Sequence, residues 1–520
     1  MNVLFLHTPK FNNYYRPIGE FSFVHYPPMG LLGLADFLRQ NGHSSKIVHL
    51  GVEKRKSGQI DLKRLVADNA PTIIGLDLHW HFQSFDVIEI ARSIKQAYPG
   101  IPILLGGFTA SFFAEEILQN FDCIDFIIRG DAETPLLELV RQCLSDHDYH
   151  TVPNLAFREN GTVRAGQVTY VADEQMLNSL CCTDFTLMKD YPIFVESFSR
   201  YMNIESLSEN CQRLLFRWKR TYPVLLARGC PYNCVYCGGG AKAHSIINNR
   251  SKVISRSVEA VLSSITDIHR FGFDSVVFPQ DPFPSKDGEK FYMAIFDGMR
   301  ALDIPLEVEV ERYSLPSREF LRSFRQLPMK TGSFITLSPH THDQELRKRN
   351  GLANYTNEDL ERCLGMMEEE EVNCLLCFSI GLPFETSNHM DEMVQYQKQL
   401  KRRFRRLRFK NCMVEIEPAS PLSIKPAAFG VEPHRLTFAD YYRYHSLPRQ
   451  NHFQELGYDR KDAPNQRELA RFSCRHFCTR FDLGAASPGV CRIISGLRQV
   501  GAFTLLDKAA SKVKADHSVA

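Results

Sequence analysis

The chain has 520 residues, of which 44% are apolar and 23% charged, and its net charge is +2. Such a composition is ordinarily globular, and the length suits about three domains rather than one core. The near-neutral balance speaks against nucleic acid or a membrane surface as partner.

Fifteen cysteines over this length form no disulfide framework and fit a reducing compartment. The opening Met-Asn-Val-Leu-Phe-Leu-His has no basic region and reads as no secretory leader. No apolar run approaches the ~20 residues of a membrane span. The protein is therefore expected to be cytoplasmic.

Strand-like runs at 3–7, 46–50, 72–78, 101–105 and 125–128 alternate with helical patterns at 30–40 and 85–97. This alternation predicts α/β architecture, a doubly wound, Rossmann-like parallel sheet. Ligands of such sheets bind beyond the carboxyl ends of the strands. At those ends stand three segments: His79-Trp80-His81-Phe82-Gln83-Ser84, Gly106-Gly107-Phe108-Thr109 and Arg129-Gly130-Asp131-Ala132-Glu133.

The arrangement resembles the cobalamin-binding module upstream of one large class of radical S-adenosylmethionine (SAM) enzymes, over residues 1–145. The resemblance implies that Gly106 and Gly107 let backbone approach the corrin or its tail, and that the 79–84 loop faces its lower side. By it the cobalamin-binding residues are His79, Trp80, His81, Gln83, Ser84, Gly106, Gly107, Thr109 and Gly130. No Asp-x-His-x-x-Gly follows the first strand, so no lower cobalt ligand is assigned. A zinc pair at His79 and His81 is the alternative, but a lone His-x-His without further ligands reads as a polar loop.

Residues 146–220 read as a linker, with a small hairpin at 152–171 turning on Glu159-Asn160-Gly161. An apolar run at 222–227 then leads into Arg228-Gly229-Cys230-Pro231-Tyr232-Asn233-Cys234-Val235-Tyr236-Cys237 and three glycines. Thiolates are the ligands of Fe–S clusters. Three of them, Cys230, Cys234 and Cys237, with no nearby fourth, suit a [4Fe–4S] cluster with one open iron. Gly238 to Gly240 are expected to let backbone approach a ligand.

Further strands are expected at 275–279, 306–311, 332–337, 374–380 and 412–416. The third of the barrel puts Glu307, Glu309 and Glu311 on one face. The cysteine motif and these strand ends resemble the radical SAM superfamily and its partial (β/α)6 barrel, over 221–422. The resemblance implies SAM contacts at Asp281, Ser338, Gly381 and Pro418, with Asp281 suited by charge to the methionyl amine. It also implies an electron donor such as flavodoxin or ferredoxin and a small-molecule or lipid substrate. The reaction expected from it is methylation of an unactivated carbon of a specialised metabolite or lipid; cyclisation, ring contraction or oxidative rearrangement is the alternative, and a non-catalytic sensor a third class. No catalytic acid or base is assigned.

Cys374 and Cys377 are three apart on a strand and point to opposite faces, so they read as core thiols. Residues 398–410 hold eight basic side chains and read as a solvated helix before the last strand. The region 423–520 is expected to be a mainly helical domain. On a helix its Cys474 and Cys478 share a face, with Cys491 further on; buried thiols are the simpler reading.

Overall fold

A computed structural model describes residues 2–10, 26–145, 147–197, 219–329, 332–446, 456–461, 463–465 and 468. The cysteines at 474, 478 and 491, and most of the expected C-terminal helical domain, lie outside the described residues.

The first sheet begins with β1 (Asn2–His7), α1 (Met29–Gln40), β2 (Ser44–His49) and β3 (Ile73–Asp77). It continues through α2 (Ser84–Ala97), β4 (Ile103–Gly106), β5 (Phe126–Ile128) and α3 (Glu133–Gln142). The order β2-β1-β3-β4-β5 is parallel throughout. The inner strands β1, β3, β4 and β5 are largely apolar on both faces, as a sheet covered by helices on both sides requires; β3 is buried at every position. The order reverses between β1 and β3, the switch point where such sheets open a crevice.

The hairpin β6 (Leu155–Glu159) and β7 (Thr162–Ala165) extends this sheet antiparallel to β5. The sheet therefore runs past the boundary expected at 145 and takes in part of the expected linker. Pairing β6 with β5 removes an open edge of unpaired backbone groups.

The second sheet has six parallel strands in chain order: β8 (Thr221–Pro223), β11 (Ser275–Phe278), β12 (Glu307–Arg312), β13 (Phe334–His340), β14 (Asn373–Ile380) and β15 (Leu407–Met413). Between β8 and β11 lie β9 (Ala227–Arg228), α4 (Ala241–Asn248) and β10 (Ile254–Ser255), with β9 and β10 paired antiparallel. The expected strand at 222–227 is thus two strands in two sheets.

Helix α5 (Ser387–Arg403) leads to β15 (Leu407–Met413). The last strand therefore starts five residues before the expected 412. Its buried Leu407, Phe409, Asn411 and Met413 alternate with Arg408, Lys410 and Cys412. Period-two burial, not helical solvation, explains the end of the basic run. Cys374 is buried and Cys377 half-buried, on the opposite faces expected.

Helix α6 (Phe438–Ser446) ties the two halves together. Glu116 accepts from the N–H groups of Phe438 and Ala439 at 2.9 and 3.0 Å, a carboxylate at a helix N-terminus. Tyr442 donates to Glu89 of α2 at 2.6 Å, and Tyr441 donates to the Ile416 carbonyl at 2.8 Å. No helix among the described residues is long and apolar enough to cross a membrane.

Candidate functional site

The cysteine loop leaves β9 through Gly229, whose φ of +98° favours glycine and where a Cβ would crowd the Lys252 carbonyl at 3.1 Å. The three cysteines are half-buried. Two backbone N–H groups point at sulfur: Tyr232 at Cys230 (3.5 Å) and Gly239 at Cys237 (3.3 Å). Burial pushes the three thiols up, Cys234 to about 12. A bound metal reverses that balance, because it takes thiolate and releases the proton.

Among the described residues no three His, Cys, Asp or Glu side chains converge on one point as for a single ion. A cubane places each cysteine on a different iron and needs no such convergence. Three soft donors, sulfur-directed N–H groups and no fourth ligand among the described residues fit a cluster with one open iron.

Gly238 meets protein rather than a ligand. Its N–H donates to Glu417 at 2.6 Å, and a Cβ there would stand 2.4 Å from the Pro418 carbonyl. Pro418 thus backs the cysteine loop. Tyr232 packs edge-on against Tyr313 at 5.2 Å. Outside them opens a cavity of about 1020 Å³, lined also by Tyr355, Arg318, Arg362 and Met366.

Asp281 lies at the heart of the barrel wall, fully buried. Its Oδ1 accepts from Arg312 at 3.0 Å and from Tyr292 at 3.1 Å, and its Oδ2 accepts from the Tyr313 N–H at 3.0 Å. Arg312, itself fully buried, also faces Glu289 at 3.7 Å. Where the sequence suggests an ammonium partner for Asp281, the fold supplies Arg312, and Asp281 also holds the Tyr313 backbone beside the cysteine loop.

The inward face of the barrel carries half-buried polar groups. Glu309 accepts from Thr336 at 3.0 Å and Glu311 from Ser338 at 3.3 Å. Burial, reinforced by Glu309, raises Glu311 to about 7. Tyr236 reaches His340 at 3.3 Å, and His340 bonds Ser379 at 2.9 Å. Burial holds the His340 imidazole neutral, its pKa lowered to about 4. Of the four expected SAM residues, Ser338 alone faces this interior. Gly381 has φ +85° and is covered by Leu456, 2.6 Å from a Cβ placed there. Glu385 fixes that turn by accepting from the Gly381 N–H at 2.6 Å.

At the first sheet's rim, most expected cobalamin residues bond to the protein. Gln83 donates to the Thr8 carbonyl at 2.9 Å and to Asp77 at 3.1 Å, and Asp77 pairs with His7 at 2.9 Å. Ser84 donates to the His81 carbonyl at 2.5 Å, and Thr109 to that of His79 at 3.0 Å. His81 is buried between His445, at 3.3 Å, and Glu415, at 3.6 Å.

Gly107 has φ +103°, and a Cβ there would lie 2.7 Å from the His79 Cα. The close approach at Gly107 is to the backbone of the neighbouring loop. Gly106 differs: nothing lies within 4 Å of a Cβ built on it. The half-buried His79 ring stacks on Phe108 at 4.9 Å, with Trp80 edge-on at 4.3 Å. Burial lowers its pKa to about 4. Open space at Gly106 and a neutral aromatic wall at His79 and Trp80 fit the edge of a large planar group.

The two rims meet. Phe108 approaches to 3.8 Å of a Cβ built on Gly239, within the glycine run after Cys237, and packs edge-on against His244 of α4 at 5.1 Å. The 129–133 segment also faces the barrel. A Cβ on Gly130 (φ +75°) would stand 3.1 Å from the Asn248 Cα. Asp131 and Glu133 form ion pairs with Arg228 and Arg250.

Two family models match: the B12 binding domain over residues 19–140 and the radical SAM superfamily over 224–396. The chain belongs to the B12-binding-domain radical SAM proteins. The cofactor set that goes with this family is cobalamin, a [4Fe–4S] cluster and SAM.

An uncharacterised methyltransferase of Pyrococcus horikoshii is 24% identical over 317 residues, 60% of this chain and 58% of that protein. The anaerobic magnesium-protoporphyrin IX monomethyl ester cyclase of Synechocystis is 22% identical over 213 residues, 41% of this chain and 38% of its own length. The chain spans about half the length of these curated relatives. In fold it is similar to the radical SAM methyltransferase TsrM of Kitasatospora setae, solved with cobalamin and a [4Fe–4S] cluster. The TM-score is 0.60 at 16% identity, covering 85% of this chain and 84% of that one.

Sequence reasoning missed Arg312, Tyr313 and the arginines 228 and 250. Arg228 carried a usable signal, a cation directly before the cysteine loop with an acidic strand end in the other module. Nothing local marked Arg312, which continues the alternating strand of glutamates.

Proposed function

We propose that the protein is a cytoplasmic, cobalamin-dependent radical SAM enzyme that methylates an unactivated carbon of a small molecule or lipid. Flavodoxin or ferredoxin is its proposed electron donor. The observation that carries this reading is the contact of the two rims, with Phe108 bridging the wall at His79 and the glycines after Cys237.

When bound, the cluster supplies the electron that cleaves SAM and cobalamin carries the methyl group. Cys230, Cys234 and Cys237 hold the cluster, and the N–H groups of Tyr232 and Gly239 offset charge on sulfur. Ser338, the neutral His340 and Glu311 of the polar interior would hold SAM by hydrogen bonds. Asp281 and Arg312 keep Tyr313 in place without touching SAM. Gly106, His79 and Trp80 border the corrin, and Phe108 excludes water between the two cofactors. Holding two reacting centres in one geometry is the protein's contribution to such chemistry.

The second reading is a radical cyclisation or rearrangement, favoured by the likeness to the cyclase. Anaerobic reconstitution with cobalamin, SAM and reductant separates the two. Methyl transfer yields both S-adenosylhomocysteine and 5′-deoxyadenosine, with a product heavier by one methylene. Formation of 5′-deoxyadenosine alone, with a product lacking the added carbon, overturns the methyltransferase reading.

A further inference from the structure

The 129–133 segment stands at the cobalamin-domain rim, yet its side chains turn to the barrel. Asp131 Oδ1 lies 3.3 Å from Arg228 Nη1, and Asp131 Oδ2 lies 2.5 Å from Arg250 Nη2. Glu133 Oε1 lies 2.5 Å from Arg228 Nη2. Asp131, Glu133 and Arg250 are buried and Arg228 is 15% exposed. Two cations against two anions leave no net charge.

These arginines bracket the cysteine loop. Arg228 is two residues before Cys230, and Arg250 follows α4, the helix that leaves the glycines after Cys237. Asp131 therefore grips both ends of the loop. The same turn is anchored in its own domain: Asp131 accepts from the Ala172 N–H at 2.9 Å, and the Gly130 N–H donates to Ser111 at 3.0 Å. Gly130 brings the backbones of the two modules to within van der Waals contact of one another.

We infer that Asp131 and Glu133 are positioning residues, which fix the cysteine loop against the cobalamin rim and so set the spacing between the two cofactors. This rests on the proposed assignment of the two cofactor sites. A buried pair that loses one partner leaves an uncompensated charge, so the loop's register is sensitive to either carboxylate. A misplacement of about 1 Å costs a reaction roughly 100-fold.

The test uses the full chain with Asp131→Asn and, as the milder change, Glu133→Gln. In the cofactor-free protein, backbone hydrogen exchange over 228–250 is expected to rise on the order of 100-fold, while exchange in β3 and β14 stays at parent rates. In the loaded protein, pulsed EPR is expected to give a broader distance distribution between cob(II)alamin and the reduced cluster. S-adenosylhomocysteine formation should fall far more than 5′-deoxyadenosine formation. A folded Glu133→Gln protein with parent exchange over 228–250 overturns the inference, and so does a distance distribution as narrow as the parent's. Should the parent bind no cobalamin, the proposed function falls, and the exchange experiment still decides the positioning role.

Discussion

The two sheets obey one rule and use it differently. Both are parallel, and both gather glycines and polar residues at their carboxyl ends. In the first sheet buried polar groups bond to one another: His7 pairs with Asp77, which also accepts from Gln83 beneath the rim. In the barrel, the inward face of β12 keeps Glu309 and Glu311 half-buried, with hydroxyl partners on the neighbouring strand. Polar groups paired with one another stabilise a scaffold, whereas carboxyl groups held in a raised-pKa interior are chemically available. The glycines differ in the same way: Gly106 faces open space, while Gly107, Gly130, Gly238 and Gly381 each make room for this chain.

The sharpest break of that contrast is in the cysteine loop. Replacing Cys230, Cys234 and Cys237 together with Ala should abolish reductive cleavage of SAM and leave the first sheet folded. Parent yields of 5′-deoxyadenosine from the triple variant would remove the cluster from this loop. Next in size is the wall beneath it. Arg312→Ala strands Asp281 as a buried, unpaired carboxylate, which should destabilise the protein by roughly 3–5 kcal/mol. Asp281→Asn should cost less than Arg312→Ala in chemical denaturation, since Tyr313 keeps an acceptor. SAM affinity that falls sharply with stability intact would return Asp281 to direct contact with the ligand.

Gly106 and Gly107 test the comparison at a single step of chain. Gly107→Ala meets both a positive φ and the His79 backbone, so it should destabilise by about 1–3 kcal/mol. Gly106→Leu projects into open space, so it should leave the melting temperature nearly unchanged and weaken cobalamin binding. Equal stability losses in both would erase the distinction.

Periodicity made the sheets legible, because alternation and apolar runs report which faces are covered. The cysteine spacing was legible for the same local reason: three ligands of one cluster lie in eight residues. What stayed hidden is pairing over long separations. Arg312 reads locally as one more charged residue on an alternating strand, and only the fold brings it to Asp281, 31 residues away. Gly130 reads as a ligand-facing glycine because strand-end glycines often are; the helix that occupies its space lies more than a hundred residues on. The last strand was misread because its basic residues match a solvated helix until the burial of Leu407 and Phe409 is seen.

The smallest effect concerns the turn after β14. Burial raises the Glu385 carboxyl to about 8 against an ordinary 4.5, although the Gly381 and Leu382 N–H groups favour its anion. The folded protein thus binds this proton more tightly than the unfolded chain. Its contribution to stability is present in full below about 4.5 and falls as pH rises toward 8, flattening above that value. Glu385→Gln keeps an acceptor for Gly381 and removes the titration. The parent should lose melting temperature between pH 5 and 8 relative to this variant, by a few degrees. Parallel pH profiles for the two proteins would mean that Glu385 titrates alike in both states, and that the Arg460 side chain, which donates to the Glu385 carbonyl, holds the turn unaided.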